Sequence, residues 1–128
     1  MEVPYSCDDG TAFETHAHMR WTRLLMEASE LMGRPFVEPA RLKGQMEKIG
    51  FQDVHVRKDK WPINPWPKGL RWKVLGMVVL QNFDEGLESF SYKLCMEVLG
   101  WTKEAVDRLL VEVRKNLNDR SIHQYITV

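Results

Sequence analysis

Apolar residues recur every three to four positions through most of the chain, which is the period of an amphipathic helix. Glycines directly follow several of these stretches and provide the stops expected at helix C-termini. The pattern predicts helices over residues 17–32, 40–49, 70–81, 86–99 and, after the N-cap residue Thr102, as far as about residue 118. The chain is therefore predicted to be mainly helical.

One stretch alternates between apolar and polar positions instead. Residues 51–56 (FQDVHV) place Val54 and Val56 on one side, which is typical of a strand. A helix, a glycine and a short apolar strand form the return half of an α/β crossover. Because one strand makes no sheet, residues 3–5 and 123–128 are candidate short partners. The predicted fold class is α/β, with the edge of a sheet whose other strands are missing.

Two details of the helices carry specific expectations. Gly76 interrupts the helix over residues 70–81 at a cost of about 1 kcal/mol relative to alanine, and close packing against the helix would explain its presence. In the last helix, Glu104 and Arg108 have the i,i+4 spacing of a surface ion pair.

Residues 61–68 (WPINPWPK) contain two tryptophans and three prolines. Proline fixes φ and lacks an N–H donor, so this Trp/Pro segment cannot continue as a helix or lie in the centre of a sheet. Two interpretations remain open. The segment is either a rigid connector whose indole rings pack into the core, or the wall of a binding pocket.

The composition is that of one globular domain without a charge bias. Lys+Arg and Asp+Glu both number 18, and the formal net charge of zero argues against a nucleic-acid surface. The longest apolar stretch, residues 77–80, is far too short to span a bilayer. Glu2 follows Met1 in place of a basic and then apolar leader. We therefore expect a protein of the cytoplasm or nucleus, with no membrane or nucleic-acid partner.

The cysteines and histidines lack the spacing of a metal site. Cys7 and Cys95 lie far apart in the sequence and are expected to be free thiols in a reducing compartment. His16 and His18 are two residues apart at a predicted helix start, where their side chains point to different faces. We therefore predict no metal site.

Catalytic residues have to be sought by elimination. The chain has no glycine-rich phosphate loop, nucleophile elbow or HExxH pair. The adjacent carboxylates at positions 8–9 and 84–85 point apart and are expected in solvated turns. His123 and Tyr125 alternate on an extended end and share a face, where they could supply a proton acceptor and a hydroxyl. A structural histidine in a terminal strand is the alternative.

Five segments together resemble the fungal secondary-metabolism methyltransferases, the S-adenosylmethionine-dependent group that includes the velvet-complex methyltransferase-like regulators. They occur in the family's order and at believable spacing over essentially the whole chain. Residues 61–68 match the family's WPINPWPK segment residue for residue. The others are residues 4–11 (PYSCDDGT, the SDDGT turn), 50–55 (GFQDVH, the GF-x-DV strand), 99–104 (LGWTKE, the LGWS-x-E helix start) and 113–123 (VRKNLNDRSIH, the VRK…DRxIH ending).

The resemblance implies that the chain is the C-terminal portion of a Rossmann-like methyltransferase fold, one partial domain over residues 1–128. Residues 1–60 would form a helix–helix–strand unit of the sheet. Residues 61–128 would form the Trp/Pro segment and a helical insertion, about 70–118, that caps the substrate side. In the family, the N-terminal half carries the glycine-rich loop and the acidic residue that holds the ribose. We therefore expect no cofactor-binding residues here, and weak or no binding of S-adenosylmethionine by the chain alone.

In a complete enzyme, Trp61, Asn64 and Trp66 are predicted to line the substrate pocket, with Asn64 acting through its amide and His123 as the fallback general base. The substrate would be a small-molecule methyl acceptor. The protein partner would be a separate N-terminal methyltransferase half, or a second copy joined through an exposed sheet edge. The isolated chain is expected to be inactive. The alternative function is a non-catalytic, methyltransferase-derived interaction module that uses the apolar face left exposed.

Overall fold

A computed structural model describes residues 2–36 and 39–128 of the chain. Within these residues, strands lie at Glu2–Cys7 (β1), Lys60–Pro62 (β2) and Gln124–Thr127 (β3). A six-residue π-helical segment, Lys93–Val98, continues the third helix. The predicted α/β class is confirmed. The α-helices are Ala17–Leu31 (α1), Pro39–Ile49 (α2), Leu70–Tyr92 (α3) and Lys103–Asn118 (α4).

The three strands form one antiparallel sheet in the order β1-β3-β2. The central strand β3 pairs Gln124 with Cys7 of β1, and Tyr125 with Pro62 of β2. Because Pro62 lies on an edge strand, its missing N–H removes no bond from the centre of the sheet. The strands predicted at the two ends of the chain are confirmed. Their pairing brings the turn after β1 beside the start of β3.

The strand predicted over residues 51–56 is wrong, because no ladder forms there. Gly50 has φ of 113° and Asp53 has φ of 54°, so the backbone leaves the extended region twice. Val56 is 41% exposed and Val54 is only partly buried, so the predicted apolar side of the stretch is not covered by a packed layer. The position beside β3 is taken by β2, which overlaps the start of the Trp/Pro segment. The predicted crossover is therefore not formed, and the sheet of the described residues contains no parallel pair.

A single helix, α3, replaces the two helices predicted over residues 70–81 and 86–99. The residues between those stretches remain helical because they make tertiary contacts. Phe83 is buried, and Asp84 accepts a hydrogen bond from Nε of Arg114 in α4 at 2.7 Å. The glycine that opens the second stretch costs only about 1 kcal/mol inside a helix. The helical region predicted over about 70–118 is confirmed, with one break before α4 rather than two.

Helix α4 supplies the best-buried face of the core. Its N-cap Thr102 accepts a hydrogen bond from the backbone N–H of Ala105 at 3.2 Å, as predicted. Opposite this helix, Trp21 of α1 donates from Nε1 to Ser91 Oγ of α3 at 2.8 Å. The core therefore lies between α1, α3 and α4. The buried stripe of α4 consists of Val106, Leu109, Leu110, Val113 and Leu117.

Helix α2 begins one residue before the predicted start and ends where predicted, before a glycine of positive φ, but its apolar face is uncovered. Leu42, Met46 and Ile49 are 46%, 40% and 76% exposed. No described helix is both long and apolar enough to cross a bilayer.

Gly76 of α3 lies against the backbone of the Trp/Pro segment. A Cβ at this position would come within 2.6 Å of the carbonyl carbon of Asn64 and closer still to its oxygen. The close approach expected at Gly76 is confirmed, although the neighbour is a bend of the Trp/Pro segment rather than a helix. The glycine therefore allows the segment to lie directly on α3.

Gly76→Ala is expected to lower the free energy of unfolding by about 1–3 kcal/mol, because the Asn64 backbone must move. Gly44→Ala in α2 is the matched control, since a Cβ there meets nothing within 4 Å. That control is expected to be neutral or stabilising by up to about 1 kcal/mol. Urea unfolding followed by circular dichroism measures both changes. Equal effects of the two substitutions would contradict the close approach.

Candidate functional site

Side chains from three parts of the chain meet where β1 ends and β3 begins. Asp8 and Asp9 follow β1, His123 and Tyr125 lie at the start of β3, and Lys60 begins β2. The antiparallel pairing of β1 with β3 places the first two residues beside the second two, and direct hydrogen bonds join them. We call these five residues the Asp–His cluster.

The turn after β1 is shaped by the Asp9 side chain. Its Oδ1 accepts hydrogen bonds from the backbone N–H of Thr11 at 3.1 Å and from the Thr11 hydroxyl at 2.8 Å. The Cys7 thiol donates to the same oxygen at 3.1 Å. Gly10, with φ of 74°, supplies the left-handed residue of the turn. Thr11 Oγ1 accepts a hydrogen bond from the backbone N–H of His123 at 2.8 Å, which attaches the turn to β3.

Asp9 and His123 form a carboxylate–imidazole pair. His123 Nδ1 lies 2.6 Å from Asp9 Oδ2. Hydrogen bonds from His123, and then from Thr11 and Cys7, hold the pKa of the Asp9 carboxyl well below its usual range. At neutral pH this carboxylate is ionised and can only accept, so a neutral His123 carries its hydrogen on Nδ1. Nε2 then keeps its lone pair, which is the orientation that suits a proton acceptor.

Trp66 holds the ring plane of His123. The two rings stack with centroids 4.7 Å apart and planes inclined by 28°. The indole Nε1 of Trp66 donates to the backbone oxygen of Gln124 at 3.0 Å, so the indole is itself attached to β3. The imidazole is thus restrained at its edge by Asp9 and on its face by Trp66.

Asp8 has its own partners from β2 and β3. The Tyr125 hydroxyl donates to Asp8 Oδ1 at 2.6 Å, and Lys60 Nζ donates to Asp8 Oδ2 at 2.7 Å. Lys60 Nζ also lies 4.3 Å from the centroid of the Tyr125 ring. The hydrogen bond from Lys60, and then that from Tyr125, lowers the pKa of Asp8, and the same contact raises the pKa of Lys60. Both charges are exposed, so this ion pair mainly orients the tyrosine hydroxyl rather than adding much stability.

A cleft of about 250 Å³ opens beside the cluster. Aromatic rings and prolines form most of its walls, and the Lys60–Asp8 pair contributes the charged groups of the lining. Trp66 belongs both to the cleft and to the stack with His123, so the imidazole lies next to the cleft without being one of its lining residues. Apolar walls with a few polar groups are typical of small-molecule sites. The lining residues are Asp8, Lys60, Pro62, Trp66, Pro67, Trp72 and Tyr125.

The structure brings together two of the four predicted site residues, Trp66 and His123. Asn64 is fully buried instead. Its amide nitrogen donates to two backbone oxygens at the end of α4, both at 3.0 Å, and its side-chain oxygen accepts from the Trp66 N–H at 3.1 Å. The amide that was predicted to face substrate therefore anchors the Trp/Pro segment. Trp61 is 37% exposed and, like Asn64, is not among the residues lining this cleft.

Asp8, Asp9 and Lys60 were not predicted as site residues. The two aspartates are exposed, as expected for a solvated turn, but both have partners from the far end of the chain. A signal was present, because antiparallel pairing of the two predicted terminal strands places the turn next to His123. Lys60 gave no such signal, since β2 was not predicted as a strand.

His16 and His18 lie outside the Asp–His cluster, at the start of α1. His16 precedes α1 as its N-cap residue, and its Nδ1 accepts a hydrogen bond from the Phe13 N–H at 3.2 Å. Burial lowers the pKa of His18 to about 4, against the opposing effect of nearby amide side chains, so His18 is neutral at pH 7. Cys7 and Cys95 are free thiols. Across residues 2–36 and 39–128, no group of three or more His, Cys, Asp or Glu side chains is placed to hold a metal ion.

Comparison with known proteins gives relatives but no structural template. No family model matches the chain, and no solved structure matches it. Probable methyltransferase tdiE of Emericella nidulans is 38% identical over 122 residues, which is 95% of this chain and 38% of that protein. Methyltransferase pytC of Aspergillus terreus is 34% identical over 96% of this chain and 38% of its own length. Secondary metabolism regulator laeA of Monascus pilosus is 27% identical over 93% of the chain and 32% of its own length.

The chain is therefore related, over about 95% of its length, to fungal methyltransferases of secondary metabolism, which confirms the resemblance seen in its motifs. It spans 38% of the length of the first of these relatives, so it corresponds to a part of them.

Asp9→Asn is expected to reduce the loss of stability that the chain undergoes as the pH falls below neutral. The folded pKa of Asp9 is lowered from 3.8, so its contribution is fully present above about pH 5 and is lost as the pH falls through that lower folded pKa. Urea midpoints measured from about pH 7 down to about pH 2 should therefore fall less in the variant than in the unmodified chain.

The control for this measurement is Glu27→Gln, which removes an exposed carboxylate of α1. As the pH is lowered, its urea midpoint should fall in the same way as that of the unmodified chain. Parallel profiles for Asp9→Asn and the unmodified chain would show that the contacts of Asp9 with His123 and Thr11 do not form in solution.

Proposed function

We propose that this chain is the substrate-side part of a small-molecule, S-adenosylmethionine-dependent methyltransferase of fungal secondary metabolism with a Rossmann-like fold. His123 takes the proton from the methyl acceptor. The observation that carries the proposal is the 2.6 Å contact of Asp9 with His123 beside an aromatic cleft, in a chain related to methyltransferases along nearly its whole length.

The described residues do not form the usual cradle for the methyl donor. In α/β folds a nucleotide cofactor lies on a glycine-rich turn between a parallel strand and a helix N-terminus. Here the sheet is antiparallel, and the turn between β1 and α1 is folded back onto β3 by Asp9 and Thr11. S-adenosylmethionine is therefore assigned to residues outside this chain, in the larger part that the relatives possess. It would supply the electrophilic methyl group there.

The residues of this chain would hold the acceptor and accept its proton. Trp66 and Trp72 offer flat apolar walls against which a planar acceptor can lie with water excluded. No described residue donates a hydrogen bond to Nε2 of His123, so this atom is available to take the hydrogen of an O–H or N–H group as that group becomes a nucleophile. Asp9 stabilises the resulting imidazolium. The proton can then pass to solvent, because His123 is only partly buried.

The rest of such an enzyme needs a surface on which to pack, and α3 offers one. Leu70, Val74, Met77 and Val78 form a single stripe at i, i+4, i+7 and i+8, and are 79%, 51%, 58% and 60% exposed. The apolar face of α2 is also open. Apolar surface on this scale usually marks an interface. We assign these faces to the remaining part of the methyltransferase.

The test uses a chimera of tdiE in which this chain replaces the matching 122-residue segment. S-adenosylmethionine is titrated calorimetrically into the chimera and into the isolated chain, and transfer of a labelled methyl group into a fungal small-molecule extract is then measured. We expect binding and transfer by the chimera and no binding by the isolated chain. Tight binding by the isolated chain would contradict the assignment of the cofactor to other residues.

His123→Gln in the chimera is expected to slow methyl transfer by roughly 10²–10⁴-fold with cofactor binding unchanged. The matched control is His16→Gln, a histidine outside the Asp–His cluster, which should retain the rate. A chimera that binds the cofactor but transfers no methyl group would favour the alternative, a non-catalytic interaction module. Full activity of His123→Gln would exclude His123 as the base.

Val78→Lys tests the proposed interface. A charge in the apolar stripe of α3 is expected to abolish cofactor binding by the chimera while leaving the melting temperature of the isolated chain unchanged, because Val78 is already 60% exposed there. Val111→Lys is the control, since Val111 is 53% exposed on α4, outside the stripe. If both lysine variants bind the cofactor normally, the α3 stripe is not the interface.

A further inference from the structure

A second concave surface lies between the start of α1 and the length of α4. Its volume is about 490 Å³, and it shares no lining residue with the cleft beside the Asp–His cluster. Its lining combines two arginines and a tryptophan with small and aliphatic side chains, which form its apolar floor. We call it the α1–α4 groove. Its lining residues are Thr15, Ala17, Arg20, Trp101, Ala105, Arg108, Leu109 and Glu112.

Arg20 is arranged to present its hydrogen-bond donors to a ligand. Its guanidinium carbon lies 5.5 Å from the centroid of the Trp101 ring. A guanidinium over an aromatic face keeps its N–H groups in its own plane, where two of them can bind both oxygens of a carboxylate. Trp101 is held in place by the hydrogen bond from its backbone N–H to the Cys95 oxygen at 2.9 Å. The flat face of the guanidinium is therefore supported by Trp101, and its edge, which carries the N–H donors, is not used in that contact.

Neither arginine of the groove forms an ion pair with a carboxylate of residues 2–36 and 39–128. The i,i+4 pair predicted between Glu104 and Arg108 is not formed. Glu112, the acidic residue of the groove, is bound by Lys115 Nζ at 2.6 Å. Outside the groove, by contrast, Arg114 binds two carboxylates. In a chain of zero net charge, the groove thus concentrates two uncompensated positive charges beside an indole.

We propose that the α1–α4 groove binds a planar aromatic carboxylate. The carboxylate is bound by the guanidinium groups of Arg20 and Arg108, and the aromatic ring lies against Trp101 and the apolar floor of Ala105 and Leu109. The volume lies within the range of about 300–1,000 Å³ that is usual for small-molecule sites. The apolar floor favours an organic anion over an inorganic one, because the ring removes apolar surface from water. This site does not depend on the proposed methyltransferase function.

The probe for the test is 1-naphthoate, and 1-naphthalenemethanol is its uncharged analogue. Each is titrated into the ¹⁵N-labelled chain, and inorganic phosphate is titrated separately. The expected dissociation constant for 1-naphthoate is on the order of 10⁻⁴ M, with shifts confined to α1 and α4 and with at least about tenfold weaker binding of the alcohol and of phosphate. Equal binding of the alcohol, equal binding of phosphate, or no saturable binding of 1-naphthoate at millimolar concentration would overturn the proposal.

Arg20→Gln and Arg108→Gln are each expected to weaken 1-naphthoate binding by about tenfold, since each removes one charge-assisted contact. Arg71→Gln is the matched control, because Arg71 lies over Trp72 in the same way, at 5.4 Å, but outside the groove. That variant should bind like the unmodified chain, and circular dichroism checks that all three are folded. A loss in Arg71→Gln equal to that in Arg20→Gln would show that binding is not in the groove.

Discussion

The pairing of β1 with β3 is the contact on which the rest of the structure depends. The two strands come from opposite ends of the chain, so the sheet is completed only when distant segments meet, which is a costly step in folding. The same pairing joins Asp9 to His123, which lie 114 positions apart in the sequence. It also makes β3 a central strand whose free edge accepts β2. Fold and candidate site therefore arise from one long-range contact.

The Trp/Pro segment belongs partly to the core and partly to the cleft. Ile63 and Asn64 are fully buried, and the Asn64 backbone lies directly on Gly76. Trp66, two residues later, lines the cleft and stacks on His123. Packing into the core is thus confirmed for the first half of the segment, whereas a role of Trp66 in the wall of a binding pocket stays a prediction. A firmly anchored first half is what allows Trp66 to hold the imidazole in a defined orientation.

The elements that could be predicted from sequence were those whose signal is local. Helix α4 was predicted with its N-cap residue, because Thr102 and the helical period lie within one stretch. The strand predicted over residues 51–56 was wrong, because an alternating pattern forms a strand only where a neighbouring strand is available to pair with it. Trp66 and His123 were recognised as candidates by residue type. Asp9, the partner of His123, was not recognised. It reaches His123 only through the β1–β3 register, which is a property of the whole fold.

One consequence of this register concerns how the domain can be connected to other polypeptide. Glu2 pairs with Thr127, so the two ends of the described structure lie next to each other. Domains whose ends are adjacent tolerate insertion into another fold without distortion of the host. Polypeptide attached before Glu2 and after Thr127 would leave the molecule at a single point. The body built on α1, α3 and α4 would then be joined to that polypeptide through the paired strands β1 and β3.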